Sequence, residues 1–232
     1  MKDFDVLKKA SICDIIIAQQ KQRTKNMTKF IIVRHGQSKA NECGYLVGNR
    51  EAPLSKLGER QADAVCKYIL GKYKIDVIYS SPLSRACDTV KGVAEELNMP
   101  IIKEDQLREM DFGKWEGLTL EEIKNNFDNG YSKWAKDVGV FVPPCGESMS
   151  EVQARVVRKI KEIGIKEDGK TVLIGAHSSV IRSLQGYIQN LPMEKMKNTP
   201  WVVNASLAEI DFDGENFYIF KYGYDGHLVG LK

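Results

Sequence analysis

The chain has 232 residues, of which 43% are hydrophobic and 28% charged, and a formal net charge of +3. This is the balance of a globular protein with one substantial core, at a length ordinary for a single α/β domain. No apolar run approaches the ~18 residues of a membrane span, and the lysines lie scattered among acids without a basic stripe, so neither membrane nor nucleic acid is expected as a partner.

Residues 1–26 read as an N-terminal extension, disordered or docking: the apolar patch at residues 15–17 follows Asp14 and is too short for a signal-peptide core. The domain proper is expected over residues 27–232. From Lys29 onward the pattern alternates. KFIIVR reads as a strand, SKLGERQADAVCKYIL as a helix, IDVIYSS as a strand, SRACDTVKGVAEEL as a helix and IIKEDQL as a strand. Between about 111 and 142 the alternation lapses. That insertion carries Phe112, Trp115, Phe127, Tyr131 and Trp134, with one helical stretch near TLEEIKNNF, and reads as a small lid or a satellite cluster. SEVQARVVRKIKEI then predicts a helix, TVLIGAH a strand and SSVIRSLQGYI a helix. WVVNASLAEIDF and NFYIFKY read as two closing strands around an Asp213-Gly214 hairpin turn. The implied fold is a three-layer α/β sandwich, with a mostly parallel central sheet and helices on both faces. Ligands in such sheets bind beyond the carboxyl ends of the strands.

The five cysteines (Cys13, Cys43, Cys66, Cys87, Cys145) are odd in number and form no C-x-x-C pair, so reduced thiols and a cytoplasmic location are expected. None has an arginine six residues on, which excludes the cysteine nucleophile of one phosphatase class.

Phosphate-binding side chains recur at strand ends. Arg34 and His35 follow the first strand, with Gly36 letting the backbone turn and approach a ligand closely. Arg85 sits in the first turn of the helix after YSSPL, where free N–H groups and the helix dipole already favour an anion. His177 ends TVLIGAH and so repeats the address of His35. A neutral imidazole can attack phosphorus, and flanking Arg34 and Arg85 would lower its pKa and keep the free base available.

RHGQSKAN, SSPLSRACDT, LREMDFGKWEG and AHSS, in that order, resemble the motifs of the histidine phosphatase superfamily, also called the phosphoglycerate mutase-like family. The resemblance implies that His35 is transiently phosphorylated. It implies that Arg34, Arg85 and His177 bind the phosphoryl oxygens, that Asn41 adds a hydrogen bond, and that Glu109 protonates the leaving oxygen. Ser38, Arg50 and Ser178 are further candidates near the pocket. The chain departs from the commonest pattern where Gln37-Ser38 replaces Glu-Thr and Ser178 replaces a glycine. The implied activity is a metal-independent phosphomonoester hydrolase without cofactor, acting on a small phosphorylated substrate and releasing inorganic phosphate. A mutase or a catalytically silent phosphate binder are the alternatives, and LREMDFGKWEG in place of the mutases' ER-x-YG-x-LQG favours hydrolysis. Tyr131, Trp134 and Trp115 are where substrate choice is expected to lie.

Two motif matches are refused. Residues 164–171 spell G-x-x-x-x-G-K-[ST], but they leave a helix and enter a strand, the reverse of a P-loop. Asp211 and Asp213 imitate a magnesium phosphohydrolase, with too little chain after them to complete one. Neither H-E-x-x-H nor clustered carboxylates appear, so no metal is expected. His227 reads as a surface residue.

Overall fold

The computed structural model describes residues 27–231, so the expectation for the first 26 residues lies outside what is described. The first strand, β1 (Thr28–Arg34), is buried along nearly its whole length. Phe30 and Ile32 enter one apolar cluster, and Ile31 and Val33 the other. A strand sandwiched in this way has no polar face to show, which is why it reads as a continuous apolar run. Each of these four side chains, fully buried, contributes roughly 1.5–3 kcal/mol.

Beside it run β2 (Val77–Ser80), β3 (Ile101–Lys103), β4 (Thr171–Ala176), β5 (Leu207–Phe212) and β6 (Phe217–Tyr224), in the order β3-β2-β4-β1-β5-β6. The first four are mutually parallel, and β5 and β6 close the sheet antiparallel. As predicted, Asp213-Gly214 makes the hairpin: the Asp213 carboxylate accepts from the amides of Glu215 and Asn216 at 2.9 and 2.7 Å, and Gly214 takes φ +94°.

The helices are α1 (Lys39–Glu42), α2 (Lys56–Lys72), α3 (Ser84–Glu96), α4 (Leu120–Asn126), α5 (Gly130–Lys136), α6 (Met149–Lys166) and α7 (Ser178–Ile188). The buried faces of α2 and α3 cover one side of the sheet and those of α6 and α7 the other, which gives the three layers expected. Capping residues set several starts: Ser55 accepts from Gly58 ahead of α2, and Thr119/Glu122 and Ser148/Glu151 form capping boxes ahead of α4 and α6.

The differences from the predicted elements have local causes. IIKEDQL is strand only at its first three residues and then tightens into a 3₁₀ turn, Asp105–Leu107. In WVVNASLAEIDF pairing begins only at Leu207, because Ala205 stands at φ +60° and the Val202 carbonyl is taken by Arg34. The insertion holds a second helix, α5. Its rings Phe112, Trp115 and Trp134 join the α6/α7-side core instead of forming a satellite. His227 is half-buried instead of lying on the surface: its Nε2–H donates to the Ala205 carbonyl at 2.9 Å and its ring stacks on Tyr68. The refused P-loop is the end of α6 and the turn into β4, with Lys170 held by Glu167 at 2.8 Å. Cys43, Cys66, Cys87 and Cys145 are free thiols, and Cys13 lies outside the described residues. Among the described residues no helix is long and apolar enough to cross a membrane.

Candidate active site

Because β1, β4 and β2 are parallel neighbours, the residues that follow them meet at one edge of the sheet. The register is fixed by backbone bonds from the His35 amide to the Ala176 carbonyl and from the Ser81 amide to the Gly175 carbonyl, both 2.9 Å. This brings His35 and His177 edge to face, with ring centroids 5.2 Å apart.

His35 is 4% exposed. Its Nδ1 lies 2.7 Å from the Gly36 carbonyl oxygen, and since a carbonyl only accepts, Nδ1 carries the hydrogen and Nε2 keeps its lone pair. Burial drives its pKa well below the ordinary histidine value, with the charges of Arg34 and Arg85 acting in the same direction. The direction and the two arginines are as expected from the sequence; desolvation is the larger cause. His177 is likewise held neutral by burial first and Arg85 second. Its Nε2 shares a 2.8 Å hydrogen bond with the Ser81 hydroxyl, and its Nδ1 has no partner.

The turn after β1 needs glycine for a reason of packing as well. A Cβ on Gly36 would sit 2.7 Å from the carbonyl oxygen of Gly58, and one on Gly58 would collide with the carbonyl of Gln37. The close approach is therefore between the turn and the first turn of α2.

Arg85 is fully buried, with Nη1 donating to the Arg50 carbonyl at 2.9 Å and Nη2 to the Gly48 carbonyl at 2.6 Å. Glu51 anchors the helix start beside it, accepting from the Ser84 amide and hydroxyl at 3.1 and 2.6 Å. Arg34 donates from Nη1 to the Val202 carbonyl. Of the ten buried side-chain polar atoms without a partner among the described residues, four belong to this cluster: Arg34 Nε, Arg85 Nε, His177 Nδ1 and Ser178 Oγ. Buried donors are rarely left unpaired, so their concentration here marks a place built to receive acceptor atoms.

Glu109 stands across the cluster, 6% exposed. Its Oε1 accepts from its neighbour Met110 at 2.8 Å and from the Ser179 amide, at the start of α7, at 3.3 Å. The two nearby acids are committed differently. Glu116 accepts from the amides of Gly48, Asn49 and Phe112 at 2.9 to 3.2 Å and so ties the Arg85 anchor loop to the Glu109 segment. Asp111 caps Gly113 at 2.7 Å.

The sequence gives no sign of Arg155, in mid-α6, whose guanidinium braces this segment. Nη1 donates to the carbonyls of Gln106 and Arg108 at 2.7 and 2.8 Å and Nη2 to that of Glu109 at 3.2 Å. Nε and Nη2 also grip Glu147 at 2.6 and 2.8 Å.

A cavity of about 260 Å³ opens over the cluster, reached by Arg34, His35, Asn41, Glu109 and Ser178, with Arg85 and His177 buried at the cluster. Ser38 does not line it: its hydroxyl caps α1, accepting from the Asn41 amide at 3.1 Å, while the Asn41 carboxamide accepts from Ser38 at 3.2 Å. Of the aromatic candidates Tyr131 and Trp134 reach the cavity, and Trp115 is buried away from it. Trp201, expected in a strand and found outside one, lines it too. Among the described residues no three His, Cys, Asp or Glu side chains gather as a metal-ligand set.

A family model described as histidine phosphatase superfamily (branch 1) matches residues 30–225. Phosphoserine phosphatase 1 of Hydrogenobacter thermophilus is 30% identical over 205 residues, spanning 87% of this chain and 95% of that protein. Among solved structures, Bacillus stearothermophilus YhfR superposes with a TM-score of 0.82 at 27% identity, over 87% of this chain and 99% of that one. A mycobacterial glucosyl-3-phosphoglycerate phosphatase in complex with inorganic phosphate superposes with a TM-score of 0.74 at 27% identity, over 86% and 98% of the two chains.

Proposed function

The chain belongs to branch 1 of the histidine phosphatase superfamily, and on that premise we propose that it hydrolyses small phosphomonoesters without a metal, through a phosphohistidine at His35. The observation that carries this reading is the state of His35: a buried imidazole whose Nδ1–H is tied to the Gly36 carbonyl and whose neutral Nε2 is left as the nucleophile.

In the first step the Nε2 lone pair attacks phosphorus, the bond from phosphorus to the ester oxygen breaks, and Glu109 gives its proton to the departing alkoxide. In the second, water attacks the phosphohistidine, Glu109 takes back a proton, and phosphate leaves with His35 restored. Arg34 and Arg85, preset by their carbonyl anchors, neutralise charge on the transferring group without reorganising. When the Ser81 hydroxyl donates to Nε2 of His177, Nδ1–H becomes the donor for a phosphoryl oxygen, so Ser81 selects the useful tautomer. Asn41 and Ser178 complete the binding set, and the 111–142 insertion supplies one wall of the cavity as its lid.

The similar proteins reported above that are named for an activity are phosphatases, which supports hydrolysis over the mutase reading. The test is phosphate release from a panel of phosphomonoesters in excess chelator. Release that persists in chelator and is lost in His35→Ala is expected; equal release by the variant would overturn the reading.

A further inference from the structure

Beyond the phosphoryl clamp the cavity changes character. Among the described residues, Arg34 and Glu109 are the only charged ones that line it, and the reaction above engages both. The rest of the wall includes Tyr45, Leu46, Val47, Phe112, Tyr131 and Trp134 together with Trp201. Four of these rings form one connected surface. Trp134 lies 5.5 Å from Phe112, 5.5 Å from Tyr131 and 5.6 Å from Trp201, centroid to centroid.

Trp201 is 43% exposed, an unusual position for a side chain of that apolar area unless something holds it there. Arg182 does so. Its guanidinium carbon sits 3.9 Å from the Trp201 ring centroid, at van der Waals contact. Arg182 itself is 2% exposed, with Nε donating to the Thr199 hydroxyl at 2.8 Å and Nη2 to the Met196 carbonyl at 2.7 Å. No carboxylate forms a salt bridge with it among the described residues. The buried cation thus meets the π face of Trp201 where an anion would ordinarily stand, an arrangement that fixes the ring's orientation. A partly exposed, rigidly backed indole at the edge of an uncharged wall is a recognition platform, since it offers apolar area at little cost in ordering.

We infer that the alcohol half of the substrate is uncharged and apolar or aromatic, and that Trp201 is the residue that selects it; this rests on the phosphomonoesterase reading. A carboxylate or ammonium beside the ester oxygen would lose its water against aromatic rings with no counter-charge to replace it. Esters of that kind are therefore poor substrates, even though a similar protein is named a phosphoserine phosphatase.

The experiment compares kcat/KM for benzyl phosphate, phosphoserine and 3-phosphoglycerate. All three leave as alkoxides, so their ratio reports the alcohol half and not leaving-group chemistry. Benzyl phosphate is expected to lead by about tenfold or more, the effect of burying one phenyl ring. Trp201→Ala narrows that lead mainly by raising KM for benzyl phosphate, and Trp201→Phe restores most of it. Tyr45→Ala, at a second exposed ring of the wall, narrows it as well. A preference for either charged ester, or an equal loss on all three in Trp201→Ala, would overturn the inference while leaving the phosphatase reading intact. Hydrolysis of none of the three would overturn both.

Discussion

Arg155→Met removes the brace under the general acid without changing the identity of any residue around the phosphoryl site. The wild-type guanidinium makes five hydrogen bonds, three to carbonyls of residues 106–109 and two to Glu147. The pair is mostly sheltered, with side chains 15% and 17% exposed. Breaking a buried pair costs about 3–5 kcal/mol, and since both partners here keep some water the loss should be about 2–3 kcal/mol. For a chain of this length that lowers the melting midpoint by roughly 4–12 °C. The effect on catalysis is separable. A displacement of the Glu109 segment by about 1 Å should reduce kcat/KM about 100-fold where the leaving oxygen needs a proton, as in benzyl phosphate. With p-nitrophenyl phosphate, whose leaving group is stable as the anion, the loss should stay within about fivefold. Both esters are assayed well below the midpoint, alongside Glu109→Gln, which should show the same split and a larger one. If both esters lose activity by one common factor in Arg155→Met while Glu109→Gln shows the split, Arg155 acts on the fold and not on the acid.

Two further outcomes follow from the same geometry. Gly58→Ala drives a methyl into the Gln37 carbonyl across the turn that carries His35, so it should destabilise by about 1–3 kcal/mol and depress kcat/KM with it, read by urea unfolding and steady-state rates. The pH dependence comes from His35 and His177, whose folded pKa values are depressed by burial. Unfolded, both titrate near 6.5, so their stabilising contribution is complete above that pH and is lost as the pH falls toward the folded values. The unfolded chain then takes up protons that the fold refuses, and each histidine removes up to about 1.4 kcal/mol per pH unit. Urea midpoints that fall below pH 6.5, with a shallower fall in His177→Gln, are expected; midpoints that rise on acidification would contradict the assignment.

Where a residue's role is set by its position in a strand or at a helix start, the sequence showed it. Arg34, His35 and His177 end apolar strands, and Arg85 opens a helix after one, so parallel pairing alone brings them together. The acid and the remaining binding residues came through the family resemblance, because a loop glutamate carries no periodicity. What stayed hidden depends on contacts across long stretches of chain. Arg155 lies on an amphipathic helix, where an arginine reads as solvated, and the carbonyls it braces sit more than forty residues earlier. Trp201 stands in Trp-Val-Val, a run of strand-forming residues. The capture of the Val202 carbonyl by Arg34 and of the His35 carbonyl by Asn204, together with Ala205 at φ +60°, shows why no ladder forms there. Helix α5 has seven residues and begins after Asn129 at φ +56°, with Gly130 packed under Trp115, too short a segment for its pattern to be told from a loop.

Phosphoryl transfer through His35 is tested by trapping the intermediate. Benzyl phosphate labelled in its phosphoryl group is mixed with the protein in chelator and quenched in alkali within a turnover, and the labelled peptide is sequenced. An alkali-stable, acid-labile phosphoryl group is expected on His35, absent in His35→Ala and accumulating in Glu109→Gln with p-nitrophenyl phosphate, where the second step slows. Turnover with no label on His35, or label retained when His35 is replaced, would contradict it.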